Sequence, residues 1–215
     1  MDLDDYYKNQ IKRKISNPPR DIAVINPAFI FRQPVVLIME HHSITSPKYI
    51  IKGTNGQIFF SGYDSLTKCV VYDAGNKPLI NIRTNLTGDF KVYLGKDKQN
   101  KPIVETCSKR SWAADKKTVH YYNLTRNCGE VLDLNMESSY RSAGLFAGKE
   151  KHDAPMICKI MRLKSNQSFS HSEYSIEMAP NVDNLFLVAI GIMFMSSYES
   201  YKRRMRNQNT TVIYK

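Results

Sequence analysis

Over most of the chain apolar side chains recur at every second position. Ile80 and Ile82 alternate with Asn81 and Arg83, Phe90, Val92 and Leu94 with Lys91 and Tyr93, and Tyr174, Ile176 and Met178 with Ser175 and Glu177. A period of two places alternate residues on opposite faces of an extended chain, so each segment reads as a half-buried strand. Between such segments lie turn signals able to supply positive φ: Gly53-Thr-Asn-Gly56, Asp73-Ala-Gly-Asn76 ahead of Pro78, Thr87-Gly-Asp89 and Gly95-Lys-Asp97. Further strands are expected around Val35–Met39, Tyr49–Lys52, Ile58–Phe60, Cys69–Tyr72, Ile103–Cys107, Val119–Leu124 and Met156–Leu163. The expected total is about a dozen.

One segment breaks the pattern. Leu185 to Met195 is a run of eleven residues with no charge, amide or proline. A surface helix keeps a polar stripe and an edge strand alternates, so a run apolar all round must be covered on every side. Burial of such side chains contributes roughly 1.5–3 kcal/mol each, which makes this run the centre of the fold. A bilayer is a poor cover, because at about 1.5 Å per residue the run spans about half the ~30 Å hydrocarbon core. A helical bundle needs partner helices, and the central chain reads as strands. The remaining cover is a closed sheet. A barrel wide enough to hold a helix needs more than eight strands. The predicted fold class is therefore mainly β (α+β), a closed antiparallel β-barrel of about twelve strands enclosing a hydrophobic C-terminal helix. Pro180 and the triplet Asn181-Val-Asp183 mark the helix start, with Asn181 or Asp183 as its cap.

Three stretches carry a family resemblance: Val71-Tyr-Asp-Ala-Gly-Asn-Lys-Pro-Leu-Ile-Asn-Ile-Arg83, Cys158-Lys-Ile-Met-Arg162, and Tyr174-Ser-Ile-Glu-Met-Ala-Pro-Asn-Val-Asp183 leading into the apolar run. Over about residues 22–200 the chain resembles the LURP-one-related proteins, of the tubby C-terminal-like superfamily. The resemblance implies a twelve-stranded antiparallel barrel threaded by a C-terminal helix. Phe90 stands where these proteins often carry tryptophan. The phosphoinositide-contacting lysine and arginine motif of tubby proper has no match here. Nor do the proline-rich region, cysteine cluster and acidic calcium segment of the related phospholipid scramblases. The activities of those relatives are not implied for named residues of this chain.

The chain of 215 residues reads as one barrel domain over residues 21–200, preceded by an extension over 1–20 and followed by a basic tail over 201–215. Cys69, Cys107, Cys128 and Cys158 form no Cys-x-x-Cys pair, which favours reduced thiols. The N-terminus lacks the apolar core of a secretory signal, and Asp2 excludes myristoylation. The expected location is intracellular, cytoplasmic or peripheral to a membrane, with no transmembrane span.

Charge supplies the functional hint. Lysine and arginine number 31 against 20 acidic residues, for a formal net charge of +11, which favours anionic partners. The candidate headgroup ligands are Lys12, Arg13 and Lys14 ahead of the barrel, Lys109, Arg110, Lys116 and Lys117 in one expected loop, and Lys202, Arg203 and Arg204 after the apolar run. Trp112 beside Arg110 could enter a membrane interface or the core. Catalytic signatures are missing: there is no Gly-x-Ser-x-Gly, His-Glu-x-x-His or dinucleotide fingerprint. Gly144-Leu-Phe-Ala-Gly-Lys149 falls one residue short of a phosphate-binding loop and reads as a turn. His41 and His42 are strand neighbours facing opposite sides and cannot readily share an ion. The sequence thus assigns no catalytic residue, metal or cofactor. It favours a non-enzymatic module docking on anionic phospholipid or phosphoinositide headgroups. The alternatives are a regulatory scaffold for a protein partner and a scramblase-like lipid transporter. Nucleic acid is disfavoured for want of a recognition motif.

Overall fold

The structure, a computed structural model, describes residues 3–65, 68–109, 111, 114–163 and 171–212. Its strands are β1 (Val35–His42), β2 (Tyr49–Gly53), β3 (Ile58–Ser65), β4 (Lys68–Asp73), β5 (Pro78–Thr84), β6 (Phe90–Leu94), β7 (Val104–Lys109), β8 (Ala114–Asn123), β9 (Cys128–Glu137), β10 (Ser142–Phe146), β11 (Met156–Arg162) and β12 (His171–Met178). The helices are α1 (Leu3–Lys12) and α2 (Asn184–Val212). Each strand pairs with its neighbours in sequence, and β1 also pairs antiparallel with β12, aligning Leu37 with Ile176 and Met39 with Tyr174. The twelve strands thereby close into a barrel with no free edge.

Inside the barrel runs α2. Its residues from Leu185 to Met195 are buried on every side. Inward strand residues such as Met39, Ile51, Ile80, Val92, Val119, Leu134 and Ile176 supply the covering layer. Tyr121 stacks on Phe186 at 5.8 Å between ring centroids, while Tyr140 and Tyr174 each approach Phe194 to 6.0 Å. Gly191 lets the helix come close to the seam strands, since a Cβ there would lie 2.7 Å from Ile176 Cδ1. No helix among the described residues is long and apolar enough to cross a membrane.

The up-and-down order sends successive hairpin turns to opposite ends. At one end, the closed end, residues 22–26 lie over the start of α2. Asp183 is the reason. Its Oδ2 accepts hydrogen bonds from the backbone N–H groups of Val24, Ile25 and Asn26 at 3.2, 2.7 and 3.1 Å, and its Oδ1 caps the helix by accepting from Phe186 N–H at 3.0 Å. One buried carboxylate therefore satisfies donors from two distant segments. Asn123 adds a second latch, its Oδ1 accepting from Ala23 N–H and its Nδ2 donating to Asp21 O.

The outer wall is bare along most strands, but β10 is covered. Helix α1 lies against β9 and β10. Gln10 donates to Asn135 O and accepts from Ser142 Oγ, and Tyr6 donates to Glu150 at 3.0 Å. Strand β10 is consequently buried on both faces. This corrects the reading of Gly144–Lys149 as a turn: Gly144 to Phe146 are strand, and the turn begins only afterwards. A strand covered on both sides has no reason to alternate, so the period-two signal was absent. Gly144 is needed because a Cβ would meet the Phe146 ring at 2.8 Å and Met156 Cε at 2.9 Å.

Candidate functional site at the open end of the barrel

At the end opposite Asp183 the barrel has a mouth. The described turns after β1, β5 and β9 lie on this side, and α2 leaves through it, exposed from Arg203 to Asn207. Two clefts flank the departing helix. The larger, about 680 Å³, is walled by the β5–β6 turn (Thr84 to Gly88), Asp115, Lys117, Tyr140, Arg203 and Arg204. The smaller, about 360 Å³, is walled by His41, Lys48, Asp64, Lys68, Cys69 and Glu199. Thr84, Asn85, Leu86, Ser200 and Arg203 line both, so the two clefts form one groove bent around the helix.

The groove is polar and mixed in sign. Lys117 sits on the inward face of β8 in register with Val119 and Tyr121. The residue is 3% exposed, and its ammonium donates to Ser108 Oγ at 2.7 Å and Gly88 O at 3.1 Å, with Asp89 at 3.6 Å. Lys117 therefore ties the β5–β6 turn to the rim. Lys48 faces Asp64 and Lys68 faces Asp97, each at 3.9 Å. Burial raises the Asp64 carboxyl, against the Cys69 hydrogen bond and the charges of Lys48 and Arg203. Tyr140 donates to Asp115 at 2.8 Å and lies beside Arg204.

Two groups in the smaller cleft could suggest chemistry. Burial pushes His41 down to about 4, with Lys202, Lys48 and His42 acting the same way and Glu199 opposing them, so its imidazole is neutral. Burial and Asp64 push the Cys69 thiol well above its usual value. A reactive cysteine needs its thiolate stabilised, and here the thiol is stabilised instead. The groove presents lysine, arginine, hydroxyl and amide donors alongside the carboxylates of Asp64, Asp115 and Glu199.

The candidate residues do not all gather there. Arg203 and Arg204 line the groove, and Lys202 stands beside it, paired with Glu199 at 2.6 Å and lying over the Tyr198 ring. Lys109, Lys116 and Lys117 stand in strands β7 and β8 and not in a loop, because the pairing of these strands extends to Lys109 and Lys116; Lys109 and Lys116 are on the outer wall, matched by Asp133 at 2.6 Å and Glu150 at 3.8 Å. Lys12 ends α1, and Arg13 and Lys14 follow it toward the closed end, where Arg13 donates to Ala154 O and covers the Phe146 ring, and Ser16 N–H donates to Met156 O. Arg110 and Trp112 lie outside the described residues. Lys48, Lys68, His41, Asp64 and Glu199 were not legible as site residues, because each is an isolated polar position brought to the rim by a different hairpin or by the helix. The inward parity of Lys117 with Val119 was the one available signal.

Residues 35–195 match the LURP-one-related family. The chain belongs to this family. The matched span runs from β1 to the end of the buried part of α2, so the LURP-one-related domain is the barrel with its enclosed helix. Lys12, Arg13, Lys14, Lys202, Arg203 and Arg204 lie beyond it. An Arabidopsis thaliana protein solved by X-ray crystallography is similar in fold, with a TM-score of 0.58 at 16% identity over 81% of this chain and 98% of that one. No curated protein matches this LURP-one-related chain in sequence.

Proposed function

We propose that this protein is a non-enzymatic barrel module that docks on anionic phospholipid headgroups, phosphoinositides included, through the open mouth. The observation that carries this reading is the groove around the departing helix, with Arg203 and Arg204 on its wall. The groove lysines Lys48, Lys68 and Lys117 each face a carboxylate, whereas Arg203 and Arg204 are exposed on the departing helix, so these arginines are the groups best placed to meet an added phosphate. Arginine suits that task because its planar fork can donate two parallel hydrogen bonds to phosphate oxygens. Near an anionic leaflet each basic side chain contributes about 1 kcal/mol, and the attachment is weakened by salt.

Flotation with vesicles of neutral phosphatidylcholine, phosphatidylserine mixtures and phosphoinositide mixtures tests it. Recovery with anionic vesicles at low salt, lost in Arg203→Ala/Arg204→Ala, is the expected outcome. Equal recovery with neutral and anionic vesicles overturns the reading.

A further inference from the structure

A second cluster sits on the outer wall, away from the groove, at the seam where the first and last strands close the barrel. Glu40 and His42 share the outward face of β1, and His171 and Glu173 share the outward face of β12. The register sets Glu40 directly opposite Glu173 and His42 directly opposite His171. Directly opposed positions bring Cβ atoms within about 5.5 Å, so the four side chains form a square of two imidazoles and two carboxylates.

The spacings within the square are informative. His171 Nε2 lies 3.4 Å from Glu173 Oε1, His42 Nε2 lies 3.6 Å from Glu40 Oε2, and the two Nδ1 atoms are 3.4 Å apart. These are long for N–H···O hydrogen bonds, which cluster near 2.9–3.0 Å. The two Nε2-to-carboxylate distances match the edge of a tetrahedron whose centre is about 2.0–2.2 Å from nitrogen and oxygen donors, an edge of roughly 3.3–3.6 Å, whereas the Nδ1 contact is ring against ring, since an imidazole gives one ion a single nitrogen. One donor atom from each of Glu40, His171 and Glu173 falls within a mutual 4.8 Å. His42 Nε2 is buried and has no hydrogen-bond partner. Lys52 donates to Glu40 Oε1, which leaves Oε2 on the His42 side. The side chains are between 15% and 40% exposed, shielded but reachable from solvent.

We propose that Glu40, His171 and Glu173 form a three-ligand binding site for a divalent transition metal of the zinc class, with His42 beside Glu40 at its edge. An imidazole ligand favours zinc-like ions over calcium and magnesium, which prefer all-oxygen shells of higher coordination. Bound there, the ion clamps β1 to β12, joining Glu40 of the first strand to His171 and Glu173 of the last.

The test uses the full chain with Cys107→Ser and Cys128→Ser, which removes the two thiols with some exposure as competing ligands. After chelator treatment, Zn2+ is titrated by calorimetry, and Co2+ is added to read its tetrahedral absorption bands. Expected are one zinc per chain, tetrahedral cobalt bands, and a rise in Tm of several degrees with zinc but not with magnesium or calcium. Glu173→Gln, which keeps its shape, weakens zinc binding at least tenfold with the metal-free Tm unchanged. His171→Ala abolishes binding, while His120→Ala and His152→Ala have no effect. Absence of saturable binding, equal stabilisation by calcium, or unchanged zinc affinity in Glu173→Gln overturns the site. None of these readouts depends on vesicles, so the metal site and the lipid reading stand or fall separately.

Discussion

The two ends of the barrel are made of the same hairpins and solve opposite problems. At the closed end one carboxylate, Asp183, collects four backbone N–H groups and draws residues 22–26 across the opening. Among the described residues no segment plays that part at the open end. The rim there carries lysines, arginines, hydroxyls and a neutral histidine around a groove. Stability is thus concentrated where the helix begins, and polar surface where it departs. Separating the two lets the mouth vary its charges without endangering the seal.

Breaking the seal gives the largest effect. Asp183→Ala strips the acceptor from four donors, of which those of Val24 and Phe186 are buried and cost about 1–3 kcal/mol each when left unpaired, while those of Ile25 and Asn26 lie nearer water. A loss of about 3–5 kcal/mol in urea unfolding is expected, with exchange of the Val24 to Asn26 amides accelerated. The middle of the rod is next. Gly191→Val must displace Ile176, 2.7 Å from the added Cβ, and overpacking of this kind costs about 1–3 kcal/mol. Phe186→Ala, which removes the partner of Tyr121, serves as the cavity-forming control at about 3–5 kcal/mol.

At the mouth the effects turn from stability to pH and binding. His41 is neutral in the fold because burial lowers it to about 4, below its unfolded value near 6.5. Its contribution is therefore fully present above pH ~6.5 and is lost as pH falls toward about 4, by up to about 3 kcal/mol. His41→Phe removes that slope, and the difference between the two pH profiles isolates it from carboxylates titrating below. Smallest in stability is Arg203→Ala/Arg204→Ala, expected within about 0.5 kcal/mol of the parent. The same pair weakens anionic vesicle binding about 10- to 30-fold, from about 1 kcal/mol per basic group. Lys12→Ala/Lys14→Ala, at the other end, leaves vesicle binding unchanged. An equal loss from both pairs would mean that charge alone matters, and the comparison between the ends would fail.

Strand after strand was legible because one face meets α2 and the other meets water, which imposes a period of two. Ile80, Ile82, Tyr174, Ile176 and Met178 all point inward as their spacing implied. Strand β10 was illegible for the complementary reason, that α1 covers its outer face. Asp183 was readable as a cap, but its hold on Val24, Ile25 and Asn26 was not, because a capping motif says nothing of a segment some 160 residues earlier. The basic clusters were visible as composition only. Sequence neighbours such as Lys116 and Lys117 part to opposite faces of one strand, one to Glu150 outside and the other to the rim within.

What the sequence determined alone is the buried rod and its sheath, since eleven apolar residues in a row tolerate no water and alternating strands offer no other cover. Only the tertiary structure decided which polar groups meet. Lys48, Asp64 and Arg203 share a groove, and Glu40, His42, His171 and Glu173 share a seam, because closing the sheet joins β1 to β12 and sends alternate turns to the same end. Hydrophobic burial is a property of each residue and can be summed along a chain. The meeting of two charges depends on register, and register is settled only when the barrel closes.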